Sequence, residues 1–179
     1  MQFIYADTAL SSTKNLVEKY NGTIESTMTI IKDSDIDWKS ENFQTRQGTS
    51  DSGHVAALAS DIQTRGLQDL PTVEKIGDKY AILSGHHRFL AMRRNQSNLS
   101  PDQWKFPCTI VSFNSEIERQ KYLQGSNDHM PVKGHSKKDA VRFIKKMRAA
   151  GYFDSCDGDV EQMKEETSLL LSEFYKRIA

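Results

Sequence analysis

Hydrophobic residues change their spacing several times along this chain, and each change marks an element. Over residues 8–20, Leu16, Val17 and Tyr20 gather on one side of a helical projection, and Asn21-Gly22 supplies a stop. Ile24, Met28 and Ile30 then alternate with Glu25, Thr27 and Thr29, interrupted at Ser26, which predicts a half-buried strand at about 24–31. From Ser50 the spacing turns helical: Val55, Leu58, Ala59 and Ile62 fall at i, i+3, i+4 and i+7, with Asp51 and Ser52 as capping groups and Gly66 as a C-terminal stop.

Two β-prone runs follow, Thr72 to Ile76 and Lys79 to Leu83, separated only by Gly77-Asp78, a pair suited to the positive backbone angles of a tight hairpin. Ser84-Gly85 breaks the second run, and Phe89 to Arg94 reads as helix until the polar stretch from Asn95. Residues 108–113 predict a buried strand, Ser115 caps a short helix to about Leu123, and Gln124 to His135 read as a polar loop. Ala140, Ile144 and Met147 share a helical face up to Gly151, and Val160, Met163, Thr167, Leu170, Phe174 and Ile178 mark a final helix.

The expected fold class is α/β (α+β): a small mixed sheet containing the 72–83 hairpin, packed against helices at 53–65 and 86–94 and followed by C-terminal helices. The expected organisation is an N-terminal helical extension (1–23), a central domain (24–135) and a C-terminal helical segment (136–179). A length of 179 residues suits one main core with an accessory segment.

Lys+Arg and Asp+Glu both number 24, so any electrostatic contact with nucleic acid has to come from a local patch. Candidate positions are Arg93, Arg94, Lys137, Lys138, Lys145, Lys146 and Arg148, for which an ordinary solvated face is the simpler account. Cys108 and Cys156 lie far apart with no metal or redox spacing, and no apolar run approaches the ~20 residues of a membrane span. These features predict a cytoplasmic protein without membrane contact and without a catalytic cysteine pair.

The most informative local feature is Gly85-His86-His87-Arg88 at a strand-to-helix junction. Helix starts carry positive potential, so three basic residues there ask for a negative partner. Gly85 permits close backbone approach, the first-turn N–H groups can donate, and Arg88 adds a forked charged donor, which together predict an anion site for phosphate. The alternative is that Gly85 only turns the chain, while the basic side chains face solvent or pair with carboxylates.

The order of Asn42-Phe43-Gln44-Thr45-Arg46, the helix running into Gly66-Leu67, Pro71, the hairpin, Gly85-His86-His87-Arg88-Phe89-Leu90-Ala91 and Pro107 resembles the N-terminal domain of the ParB/sulfiredoxin superfamily over roughly residues 28–147. The His-Arg pair in the turn is similar to the sulfiredoxin and free-serine-kinase branches. His86 stands where sulfiredoxins carry their reactive cysteine, so reductase chemistry is not implied.

The resemblance implies a nucleotide-binding pocket for ATP, ADP or CTP with Mg²⁺. It assigns ligand contacts to Gln44, Arg46, Gly85, His86, His87, Arg88 and Asn127, with Asn127 and Asp128 as oxygen ligands of the metal. The function it implies is a nucleotide- or phosphate-binding protein acting as a DNA-associated switch, with DNA and a second copy of the chain as candidate partners. A small serine-kinase-like phosphotransferase, a ParB-like nuclease and a catalytically inactive assembly protein are the alternatives. Nucleotide hydrolysis, phosphoryl transfer and nuclease activity stay open, with His86, His87, Glu41 and Asp128 as candidate acid–base groups.

Overall fold

The computed structural model of the chain describes residues 7–39, 52–126 and 137–176. In chain order its elements are α1 (Asp7–Lys19), β1 (Gly22–Lys32), β2 (Ile36–Asp37), α2 (Ser52–Arg65), β3 (Thr72–Ile76), β4 (Lys79–Ser84), α3 (His86–Asn95), β5 (Lys105–Phe113), α4 (Glu116–Ser126), α5 (Lys137–Ala149) and α6 (Val160–Lys176), with short 3₁₀ turns between several of them. The fold is α/β, with a five-stranded mixed sheet in the order β1-β5-β3-β4-β2. β1–β5 and β3–β4 pair antiparallel, while β5–β3 and β4–β2 pair parallel.

Alternation along the strands sorts the core into two faces. Val73, Ile82, Phe106 and Cys108 point to one face, where they meet Ala59 and Ile62 of α2 and Phe89, Ala91 and Met92 of α3. Leu83, Val111 and Phe113 point to the other and meet Val17 and Tyr20 at the end of α1 and Tyr122 and Leu123 of α4. Phe89 and Met92 are both fully buried, each worth about 1.5–3 kcal/mol of transfer free energy; they hold α3 against the sheet and so fix the direction of its first turn.

A third cluster joins α5 and α6 through Ala140, Phe143, Met147, Phe153, Cys156 and Leu170, with Ile117 of α4 packed against it. The helices predicted at 53–65 and 86–94 thus lie where expected on the sheet. α1, read as an extension of the main domain, packs onto the sheet's second face.

The hairpin turn differs from expectation in one respect. Gly77 takes a left-handed φ of +65°, whereas Asp78 is not among the residues with positive φ. The turn therefore needs the glycine at its first central position only.

Ile24, Met28 and Ile30 were expected to form one inward set, and the structure separates them. β1 shifts register on both sides of Ser26, whose hydroxyl donates to the Met28 carbonyl at 3.1 Å and accepts from Thr29 Oγ1 at 2.7 Å. Ile24 packs against the α1–α4 face, while Met28 and Ile30, on an edge strand, stay 51% and 56% exposed. A bulge in an edge strand redirects its side chains and breaks the flat template for further strand pairing.

The polar loop predicted from Gln124 starts too early. α4 continues to Ser126, Gln124 is buried, and Gly125 lies against the Tyr20 ring. Ser115 does cap α4, accepting the Glu118 N–H at 3.2 Å. Among the described residues no helix is long and apolar enough to cross a membrane.

Candidate functional site

Gly85 is the N-cap of α3 and sits at φ +86°, ψ 28°, a conformation that costs any other residue strain. A Cβ at this position would also come within 2.9 Å of Pro71 Cβ and 3.3 Å of Arg88 Cζ. The glycine is therefore demanded by the close approach of the Pro71 segment to the turn, as well as by the backbone angle. Among the described residues no side chain caps the helix at Gly85, and the first turn itself contains no acidic residue. The first-turn N–H groups at the positive end of the helix are therefore without a side-chain acceptor from the cap residue.

Successive helical residues point about 100° apart, so His86, His87 and Arg88 fan out in three directions instead of forming one patch. His86 lies edge-on to Trp38, ring centroids 6.1 Å apart. His87 crosses the plane of His54 from α2 at 5.0 Å and 88°. Arg88 turns toward the segment before β3, where its guanidinium donates to the Asp69 carboxylate at 2.7 Å and to the Asp69 carbonyl at 2.9 Å. His86 and His87 remain neighbours, with centroids 6.2 Å apart.

The surroundings bias these groups. Burial, followed by the charge of His87, lowers the pKa of His86 below the ordinary imidazole value of 6.5. On the opposite face of the sheet, buried Tyr122 shares hydrogen bonds with the side chains of Thr72 and Ser84, at the start of β3 and the end of β4, and burial pushes its phenol upward. Tyr122 thus braces the two strand ends from which Pro71 and Gly85 emerge.

Beyond His86, Trp38 also touches Phe89 and Phe106, and the Arg93 guanidinium stacks 4.2 Å from its ring centre and 5.1 Å from that of Trp104. Arg93 pairs with Asp33, its Nη2 donating to Oδ2 at 3.3 Å while Nε lies 2.8 Å from Oδ1. This cation is committed to holding β2 and the preceding turn against α3.

Of the residues assigned to the ligand from sequence, Gly85, His86, His87 and Arg88 meet at the start of α3. Gln44, Arg46, Asn127 and Asp128 lie outside the described residues. Among the described residues no three His, Cys, Asp or Glu side chains are placed to hold a metal ion. Sequence reasoning missed His54, Trp38, Asp69 and Tyr122, all of which touch or brace the turn.

Other chemistry-bearing groups lie elsewhere. Cys108 is buried in β5, where its thiol is pushed up to about 12, and Cys156 is buried in the α5–α6 cluster. Lys137, Lys138, Lys145 and Arg148 are exposed on α5. Lys146 is half-buried, and desolvation followed by the charge of Arg142 lowers it to about 8, partly offset by Glu116. A polar cleft of about 440 Å³ between the end of α1 and the start of α4 is lined by Lys19, Asn21, Glu118 and Lys121 among others, away from the α3 turn.

No protein-family model matches this chain, and comparison with curated proteins gives no match.

Proposed function

We propose that the chain binds a phosphorylated ligand, a nucleotide in the first instance, at the start of α3. The observation that carries this reading is the uncapped, acid-free first turn behind Gly85, which bears two imidazoles and a guanidinium where the helix itself is positive. Basic side chains at that end work against helix stability unless an anion offsets them. The similarity in element order to the ParB/sulfiredoxin superfamily supports a nucleotide over free phosphate, and on that resemblance DNA is a further candidate partner.

The Arg88–Asp69 pair supports the competing structural role for Arg88: in this conformation the guanidinium ties the turn to the segment before β3. The phosphate reading therefore places first contact on the backbone of the turn and on the imidazoles, with Arg88 joining only by sharing or leaving Asp69.

Calorimetric titration with ATP, ADP and CTP, with and without Mg²⁺, tests the reading. Gly85→Val and His87→Gln, checked for folding by circular dichroism, are expected to weaken binding about 10- to 100-fold, the value of one charged hydrogen bond of roughly 1.5–3 kcal/mol. Lys145→Ala, on exposed α5, is expected to change nothing. Absence of binding by wild-type protein at millimolar ligand sinks the proposal.

A further inference from the structure

We propose that the α5–α6 unit binds a second copy of this chain, the basic outer face of α5 docking antiparallel on the acidic outer face of α6 from the other copy. This stands apart from the phosphate reading of the α3 turn.

The two helices carry opposite charge in a chain that is neutral overall. α5 has six basic residues against Asp139 alone, and residues 154–166 have six acidic residues against Lys164 alone. Part of this complements the helix dipoles: Lys146 and Arg148 lie in the last turn of α5, and Glu161 in the first turn of α6. Lys138 and Lys145 on α5 and Glu165 on α6 lie outside those turns, so the dipoles do not account for them. Lys138, Lys145, Arg148 and Glu165 are exposed and, among the described residues, make no ion pair.

Helical spacing gathers these charges into faces. Lys138, Val141, Lys145 and Arg148 fall at i, i+3, i+7 and i+10, opposite buried Ala140, Phe143 and Met147. On α6, Glu161, Glu165 and Leu169 fall at i, i+4 and i+8, on the side away from buried Leu170. Val141 and Leu169 are both more than half exposed, so each charged face has an apolar residue within it.

The two faces match in spacing. With Val141 set on Leu169 of a second copy and the helices antiparallel, Lys145, four residues on, meets Glu165, four residues back. Arg148, seven residues on, meets Glu161, eight residues back, an offset of about 1.5 Å that long side chains absorb. Each copy has both faces, so two copies make the contact twice. The same arrangement argues against a polyanion: a nucleic acid laid on α5 has to pass exposed Asp154 and Asp157 in the turn that follows the helix, whereas a second copy brings the opposite sign to both faces.

Sedimentation velocity over a concentration series, with circular dichroism as the folding control, is the test. At low salt the mass is expected to rise with concentration from 20.4 kDa toward twice that value. Salt at about 1 M, which shortens the Debye length to roughly 3 Å, is expected to return it to the monomer. Lys145→Glu and Glu165→Lys each turn attraction into repulsion at both contacts and are expected to weaken association about 10- to 100-fold. Mixed in equal amounts, the two variants are expected to associate as well as wild type, because each altered charge then meets its opposite. A wild type that stays monomeric overturns the proposal, as does a dimer that ignores salt and both variants, or a mixture that associates no better than its components. If wild type stays monomeric while a DNA duplex binds it and Lys145→Glu abolishes that binding, the α5 face serves a polyanion and the second copy is ruled out.

Discussion

Replacing Asp69 by Asn distinguishes a binding role for Arg88 from a purely structural one. Asn keeps the size of the side chain and leaves the backbone carbonyl that accepts from Arg88 at 2.9 Å, but removes the negative charge 2.7 Å from the guanidinium. The Arg88 side chain is 17% exposed and that of Asp69 48%, so the pair lies between a surface contact and a buried one. A cost of about 1 kcal/mol to the fold is the appropriate scale. The effect on binding has the opposite sign. Loss of Asp69's charge removes repulsion of an incoming phosphate and releases Arg88 toward it, so affinity is expected to rise by about fivefold for a similar 1 kcal/mol. Urea unfolding and nucleotide calorimetry on the same preparation measure the two effects. Lower stability with unchanged or weaker affinity refutes the idea that Arg88 is shared between Asp69 and ligand, and leaves it as a strut.

Four further outcomes are expected. Because burial lowers the pKa of His86, the unfolded chain binds more protons than the folded one below about pH 6.5; ligand-free stability should therefore fall as pH drops through that region, and His86→Gln should flatten the dependence in urea melts. Gly85→Ala, which adds one carbon at φ +86° against Pro71, should cost on the order of 1–3 kcal/mol, read as a drop in Tm. Glu74→Ala should cost roughly 1.5–3 kcal/mol, since buried Glu74 takes Arg119 Nε at 2.5 Å and the Phe113 N–H at 3.1 Å, and its loss removes the Phe113 acceptor while leaving Arg119 its contact with Glu116; a cost below 1 kcal/mol in urea melts contradicts that accounting. Both cysteines should resist a thiol reagent in the native protein and react on unfolding, because both are buried and the Cys108 thiol is pushed up to about 12.

The sequence made the elements legible wherever periodicity was strong and a stop was explicit. α2 and α3 lie within a residue or two of their predicted bounds, because apolar residues at helical spacing end at Gly66 and in the polar stretch after Asn95. Prediction failed where tertiary contacts overrode composition. Gln124 looked like loop yet is buried in α4, and the Met28–Ile30 stretch looked inward-facing yet lies on an edge strand whose register shifts at Ser26. The partners of the basic turn were the least legible, since Asp69 and His54 lie 19 and 33 residues before Arg88 and His87. One usable signal did exist. In the hairpin Thr72 stands opposite Ser84, so the residues just before β3 lie beside those just after β4, and Asp69 is the carboxylate in that stretch.

That register also explains why the turn is built from divergent side chains. β3 and β4 deliver Pro71 and Gly85 to the same end of the sheet, so Arg88, one helical turn into α3, faces back over Pro71 toward Asp69. The same geometry sends His87 sideways to α2 and His86 to Trp38. A ligand at this position meets a backbone cap and imidazoles from two helices before it meets the guanidinium. Recruiting Arg88 means loosening the tie between the turn and the segment before β3. If the phosphate reading holds, ligand binding and the mobility of the Asp69 segment are therefore coupled: saturating nucleotide should speed amide exchange at Asp69 and Leu70 while protecting the first turn of α3. Uniform protection of both segments would show that Arg88 never leaves its carboxylate.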